Sequence, residues 1–384
     1  MSYISVTNFV NVSVSTPPKG FRDYQVNNLA IFTKETPVNT NITASNPGVY
    51  VSPADVAADW GSGSEVVAQA NLIFAQSPNI LDGSGQLIIF PMQSGDVLAT
   101  VIAAGIQKAF FGGALYAGYA PSDAEILAAM VVVQDLRVKL FASSHLTASL
   151  VPTTGVFWIV QSAAGTRTRC LLYTEGATAL NARKFAAAYA GRALSTDFNA
   201  PATTATMHLK TLVGITPDSG ISQTILNDAI TVGADTYPSV GAGAQYIGKV
   251  YSTGANDFFD NVYNLDWLVF GLQIAGVNAL ATTGTKLPQT EPGVAVLKGA
   301  YITVLQQAVS NGFIAPGAWN SSELFGNPSD LKRNILNLGY YVWSLPVNQQ
   351  LQSQREQRIA PIIRIAVKYA GAIQKSNVVV SINA

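Results

Sequence analysis

The sequence predicts a multidomain protein of mixed α/β and α+β class, and three observations predict it. From about residue 29 to 193, short apolar runs alternate with helical stretches, the order of a mainly parallel sheet with helices on its faces. Past a stretch rich in Ser, Thr, Ala and Pro at 195–206, the order changes to long helical patterns followed by strands. The length, 384 residues, suits two or three domains at roughly 100–200 residues each.

The elements follow in order. Ile4, Val6, Val10, Val12 and Val14 share one face, interrupted by Asn8, opposite Ser5, Thr7, Asn11, Ser13 and Ser15. Period two is the signature of a half-buried strand. From Tyr3 to Val14 it reaches about 40 Å at ~3.4 Å per residue, long for a globular domain. Pro17-Pro18 then stops it and stiffens the exit. Strands are expected at 29–33, 86–90 (closed by Pro91), 114–119, 138–143 and 169–174. Helices are expected at 64–76, 97–109, from Pro121-Ser-Asp to about 135, and at 180–193; the run 156–163 fits either state. Next come a helix at 221–230 and a strand at 244–252. A long helix over 257–280 carries Phe258, Val262, Leu265, Val269 and Leu272. Thr290-Glu-Pro opens another helix, which runs through Val294, Leu297, Val304 and Val309 and stops at Gly312. Asn327-Pro-Ser opens a short helix with Asp330-Leu-Lys-Arg333 ahead of Ile335, Leu336 and Leu338. Gln354-Arg-Glu-Gln-Arg358 reads as a loop before a strand at 359–369, with Ile363, Ile365, Val367 and Tyr369 opposite Arg364, Ala366 and Lys368. A last strand places Val378, Val380 and Ile382 on one face. These patterns divide the chain at about 1–18, 19–205, 206–320 and 321–384.

Composition removes several function classes. Lys and Arg number 22, Asp and Glu 22, and charged residues are 11% of the chain, against about 25% in an ordinary soluble domain. Gly, Ala, Ser, Thr and Asn take their place, which suits a surface covered by copies of the same subunit. Balanced charge without a basic block argues against nucleic acid. One cysteine, Cys170, excludes intramolecular disulfides and multi-cysteine metal sites. The N-terminus lacks the basic and apolar regions of a secretory signal, and no apolar run nears the ~20 residues of a membrane span.

Catalytic motifs are missing as well. No Gly-x-Ser-x-Gly elbow occurs. The two histidines, His145 and His208, lack the spacing of a zinc site. Gly61-Ser-Gly-Ser, Gly83-Ser-Gly and Gly241-Ala-Gly-Ala each fall short of Gly-x-Gly-x-x-Gly, with Val66, Ile88 and Tyr246 at the third position, and no Gly-Lys-Ser/Thr exists. Turns account for these glycines. Cys170 sits in a predicted strand as a buried thiol. Asp257 and Asp260 read as helix-dipole complements; a carboxylate pair at that place is the one route left to an α/β enzyme. No cofactor is expected. Lys332 and Arg333 form a small basic group, either a solvated face or a dock for an acidic partner.

Two terminal strands with no hairpin partner beside them in sequence bear on assembly. A long uncovered strand edge is an aggregation hazard. An arm fenced off by Pro17-Pro18 either folds back or adds to a neighbour's sheet. Donated to the next subunit, it makes a head-to-tail contact, which builds rings or open helices.

Several stretches, in order, make the sequence similar to the tail sheath proteins of contractile-tailed bacteriophages. They are Phe9-Val-Asn-Val-Ser-Val, Leu29-Ala-Ile-Phe-Thr, Val56-Ala-Ala-Asp-Trp-Gly and Ala70-Asn-Leu-Ile-Phe-Ala-Gln-Ser-Pro, then Lys210-Thr-Leu-Val-Gly-Ile, Asp266-Trp-Leu and Gly312-Phe-Ile-Ala-Pro-Gly. Ala360-Pro-Ile-Ile-Arg-Ile-Ala-Val-Lys-Tyr-Ala-Gly-Ala-Ile and Val378-Val-Val-Ser-Ile close the series. The resemblance implies a structural subunit that polymerises as six-fold rings stacked helically around a tail tube and contracts to drive the tube through the host envelope. Its implied partners are further copies of itself, the tube protein, and the baseplate and tail terminator proteins, with no direct membrane insertion. Its implied place is the virion, after assembly in the host cytoplasm. It also implies an inner domain built from both chain ends, an outward-facing α/β middle, and strands exchanged between neighbours over Ile4–Val14 and Val378–Ile382. A basic helix before the last strands would face the tube, and Lys332 and Arg333 are the local match. Another tail or shell component, such as a tube or baseplate protein, is the alternative reading.

Overall fold

The computed structural model describes residues 24–378 except 243–244 and 255–256. The alternating stretch with Ile4, Val6, Val10, Val12 and Val14 lies outside the described residues, as do Val380 and Ile382.

The α/β body is built on a seven-stranded sheet, ordered β2-β3-β1-β4-β5-β6-β7. β1 (Leu29–Thr33), β3 (Leu87–Pro91), β4 (Gly113–Ala117), β5 (Lys139–Ser144), β6 (Thr168–Leu172) and β7 (Ala234–Asp235) run parallel, and β2 (Gly48–Tyr50) is an antiparallel edge. Central strands buried on both faces need apolar side chains at every position, and Leu29-Ala-Ile-Phe supplies them. Leu29 and Ile31 enter the core under α1 (Pro53–Trp60), α2 (Glu65–Ala75) and α6 (Ala179–Ala193). Ala30 and Phe32 enter the opposite core under α3 (Leu98–Gly105), α4 (Asp123–Leu136), α5 (Val156–Ser162) and α7 (Gln223–Val232). Ser122 and Glu125 form a full capping box on α4, whereas Thr290 ahead of the helix Glu291–Ser310 makes no side-chain cap hydrogen bond. α2 and α6 lie so close that a Cβ on Gly191 would come within 2.8 Å of the Ile73 backbone.

A hairpin, β8 (Ser239–Ala242) and β9 (Gln245–Gly248), leaves the body. It leads to α8 (Phe259–Ala281), α9 (Glu291–Ser310), α10 (Pro328–Leu338), β10 (Tyr340–Ser344), α11 (Gln352–Glu356) and β11 (Ile363–Val367). β10 and β11 pair antiparallel, Tyr340 opposite Val367 and Ser344 opposite Ile363.

Some elements differ from expectation. The ambiguous run 156–163 is helical, because Val156, Phe157 and Val160 reach the core at helical spacing. The strand expected over 244–252 is confined to β9; beyond it, Val250 bonds Lys210 and Tyr251 bridges Thr236. Gln352–Glu356 is a short helix where a loop was expected at 354–358, supported by the Gln352 amide donating to Glu356 at 3.1 Å. β10, β2 and α1 carry too short or too irregular an apolar pattern to be predicted. Up to residue 378 the final segment holds no strand pairing, and Val378 is 79% exposed.

Candidate assembly interface

The tail of the described chain is a small three-layer unit. Asn327 caps α10 by accepting from the Ser329 and Asp330 amides, and Pro328 fixes the first turn. Gly339, at φ +83°, turns the chain straight into β10. Leu331 and Ile335 bury one face of α10 against Ala366, Phe325 and Tyr341. On the opposite side of the two strands, Val342, Ile365 and Val367 pack on Leu268 of α8 and Leu305 of α9. The β10–β11 ribbon therefore has helices on both faces, while each strand is hydrogen-bonded as a ladder along one side among the described residues. Near the end of β11, Ile314 bridges Tyr369.

Lys332, Arg333 and Leu336 point outward from α10. Arg333 pairs with Asp330 at 2.7 Å on the surface, a bridge worth under about 1 kcal/mol. The outer face keeps one positive charge in excess. Lys332 and Arg333 thus share an exposed face, and Val378 stands exposed beyond β11.

The body and the C-terminal unit are joined by buried charge that the sequence reading missed. Asp266 on α8 is fully buried and receives Arg137 at 2.9 Å, Lys139 at 2.8 Å and Arg167 at 2.6 Å. Burial alone would raise its carboxyl, but the Arg167 hydrogen bonds and the Lys139 charge outweigh it and hold the carboxyl below its usual range. Burial also brings the Lys139 ammonium down to about 8, against the pull of Asp266. Beside this junction Arg169 pairs with Asp235, to which Tyr189 also donates, and bonds the carbonyls of Thr253 and Asp257 ahead of α8. The signal was present: an aspartate interrupts the apolar stripe of α8, and Arg137-Val-Lys139 and Arg167-Thr-Arg169 place cations at the starts of two core strands. Drawing these charges inward leaves an already weakly charged surface poorer still.

One position where enzymes of this architecture bind ligands holds a carboxylate of the chain itself. In an open parallel sheet, the crevice forms at the carboxyl ends of the strands where the order reverses, here between β1 and β4. Glu35, just after β1, fills it and accepts from the Glu65 and Val66 amides at the start of α2, at 2.9 and 3.0 Å. A phosphate would need those amides. Gly118, after β4, packs on the Glu35 side chain. His208 is buried, accepts from the Ser252 amide at 3.3 Å and has its pKa lowered by burial. His145 lies on the loop after β5. The Cys170 thiol is buried in β6 and pushed up to about 12 by desolvation. Asp257, two residues ahead of α8, accepts from the Phe258 amide and the Asn261 side chain, while burial raises Asp260. Among the described residues no group of three or more His, Cys, Asp or Glu is placed to hold a metal ion, and no helix is long and apolar enough to cross a membrane.

Comparison with known proteins follows the same division. Residues 259–383, beginning at the first residue of α8, match the family model described as E217 tail sheath protein gp31-like, C-terminal domain. A chain in the cryo-EM structure of the anti-feeding prophage baseplate aligns over 98% of this chain and 98% of its own, with a TM-score of 0.64 and 12% identity. A chain of the PVC sheath complex, from an extracellular contractile injection system in its contracted state, aligns over 99% and 98% with a TM-score of 0.60 and 11% identity. At such identities the likeness is one of fold. No curated protein sequence matches the chain. Residues 259–383 are thus similar to the C-terminal domain of a tail sheath protein, and the chain as a whole shares its fold with chains of contractile injection particles.

Proposed function

We propose that this chain is the structural subunit of a contractile tail sheath, polymerising as six-fold rings stacked helically around a tail tube. The observation that carries the reading is the β10–β11 ribbon, clad by helices on both faces and open along its edges, inside the stretch that matches the sheath domain. A two-stranded sheet is marginal by itself. Strands Ile4–Val14 and Val378–Ile382 of adjoining subunits would complete it through main-chain hydrogen bonds, which survive rotation because the linkers absorb the change. Lys332 and Arg333 would face the tube through few, polar, easily broken contacts. The work of contraction would come from surface newly buried between subunits, with no nucleotide and no covalent chemistry, in a particle completed by baseplate and terminator proteins. Deleting residues 1–16 tests this. The shortened chain should stay folded and lose polymerisation in negative-stain images, where the full chain gives hollow ridged cylinders. Cylinders from the shortened chain would sink the strand-donation reading.

A second reading, a baseplate or other short tail component, draws on the likeness to a chain from a baseplate structure. It predicts discrete rings or discs in place of long cylinders.

A further inference from the structure

α8 and α9 do not close on one another along their whole length. Trp267, Phe270, Ile274 and Val304 line an open groove of about 440 Å³ between them. One end is stoppered by Tyr24, whose ring lies 4.7 Å from Phe110 of the body and 4.7 Å from Phe270 of α8. The chain therefore reaches its first described residue at the mouth of this groove.

We propose that the groove is the seat of the segment just before Tyr24 in the same chain, with Phe21 as its anchoring side chain. Phe21 stands three residues from Tyr24, so at ~3.5 Å per residue it reaches about 10 Å into the groove. Of residues 17–23, Pro-Pro-Lys-Gly-Phe-Arg-Asp, Phe21 is the one large apolar side chain. The volume is ample for a benzyl group, and the aromatic wall of Trp267 and Phe270 offers it edge and face contacts. Seated there, Phe21 fixes the base of the N-terminal arm against α8 and leaves Pro17-Pro18 as the point from which the arm swings. The proposal is independent of where residues 4–14 pair.

The test joins Arg22→Cys, which keeps the Phe21 anchor, to Ala275→Cys or Ala300→Cys, both positions lining the groove, with a short bismaleimide in dilute full-length chain. Tyr24→Cys with Phe270→Cys is the positive control. Cys170 is buried and stays silent. The expected product is an internally linked monomer of faster gel mobility. Linkage between two chains would make a second copy the occupant and overturn the proposal, as would no linkage where the control pair reacts. Arg22→Cys alone, with Phe21 kept or changed by Phe21→Ala, gives a second reading that leaves the body untouched. Its maleimide labelling should be several-fold slower with Phe21 present than in the Phe21→Ala background, and equal rates would overturn the proposal.

Discussion

Asp266 shows how much one side chain settles. It is 0% exposed with three cations around it, and removing the one anion strands buried positive charge. Asp266→Ala should therefore cost about 3–5 kcal/mol, measured by urea unfolding. Lys139→Met should cost far less, because burial has already weakened the ammonium, an apolar side chain of similar length replaces it, and Arg137 and Arg167 still satisfy the carboxylate. The pH dependence has a definite sign. The folded carboxyl of Asp266 titrates below its unfolded value of about 3.9. Its contribution is complete above that value, falls as pH drops below it, and is gone once pH passes the lower folded value. Asp266→Asn should thus flatten the acid limb of a stability profile recorded from pH 7 downward; an unchanged limb would show that the carboxylate is not depressed. Little of this was legible beforehand, since one aspartate in an apolar stripe does not disclose which strands supply its partners.

Among the elements, the two ribbon strands and α10 separate stability from assembly. Leu331 and Ile335 hold α10 down, whereas Lys332 and Arg333 touch nothing that the fold requires. The double change Lys332→Glu, Arg333→Glu should alter monomer stability by no more than about 0.5 kcal/mol. If these residues face an acidic tube, it should abolish co-assembly with that tube in sedimentation assays, and undiminished co-sedimentation would remove them from the interface. The α2–α6 contact behaves in the opposite way. Gly191→Val must displace the Ile73 backbone and should cost about 1–3 kcal/mol by overpacking, visible as a lower melting temperature. Core strands such as Leu29–Thr33 were readable from local pattern, because burial on both faces leaves an uninterrupted apolar run. β10 was not. Tyr340-Tyr-Val-Trp-Ser mixes faces whose burial depends on α10 lying to one side and α8 and α9 to the other.

Across the whole molecule, body and C-terminal unit are tied by ionic and aromatic contacts: the Asp266 and Arg169 clusters and the Tyr24, Phe110 and Phe270 rings. In a contracting lattice such a joint would carry load from the α/β body to the ribbon. If so, Asp266→Asn should leave the two ends of a sheath able to pair while making the cylinders shorter and less regular. Wild-type cylinders from this variant would show that the joint carries no load.

The sequence by itself determined the alternation of strand and helix, the helix starts, the long pair α8 and α9, and the poverty of charge. Each of these is a local property of periodicity or composition. Tertiary structure decided that a few of the sparse charges, Lys139, Arg169 and Asp266 among them, turn inward to weld two units, and that Glu35 occupies the anion seat at the head of α2. It also left a two-stranded ribbon clad on its faces and open at its edges. Those outcomes depend on which distant segments meet, and spacing along a chain does not encode distance across a fold.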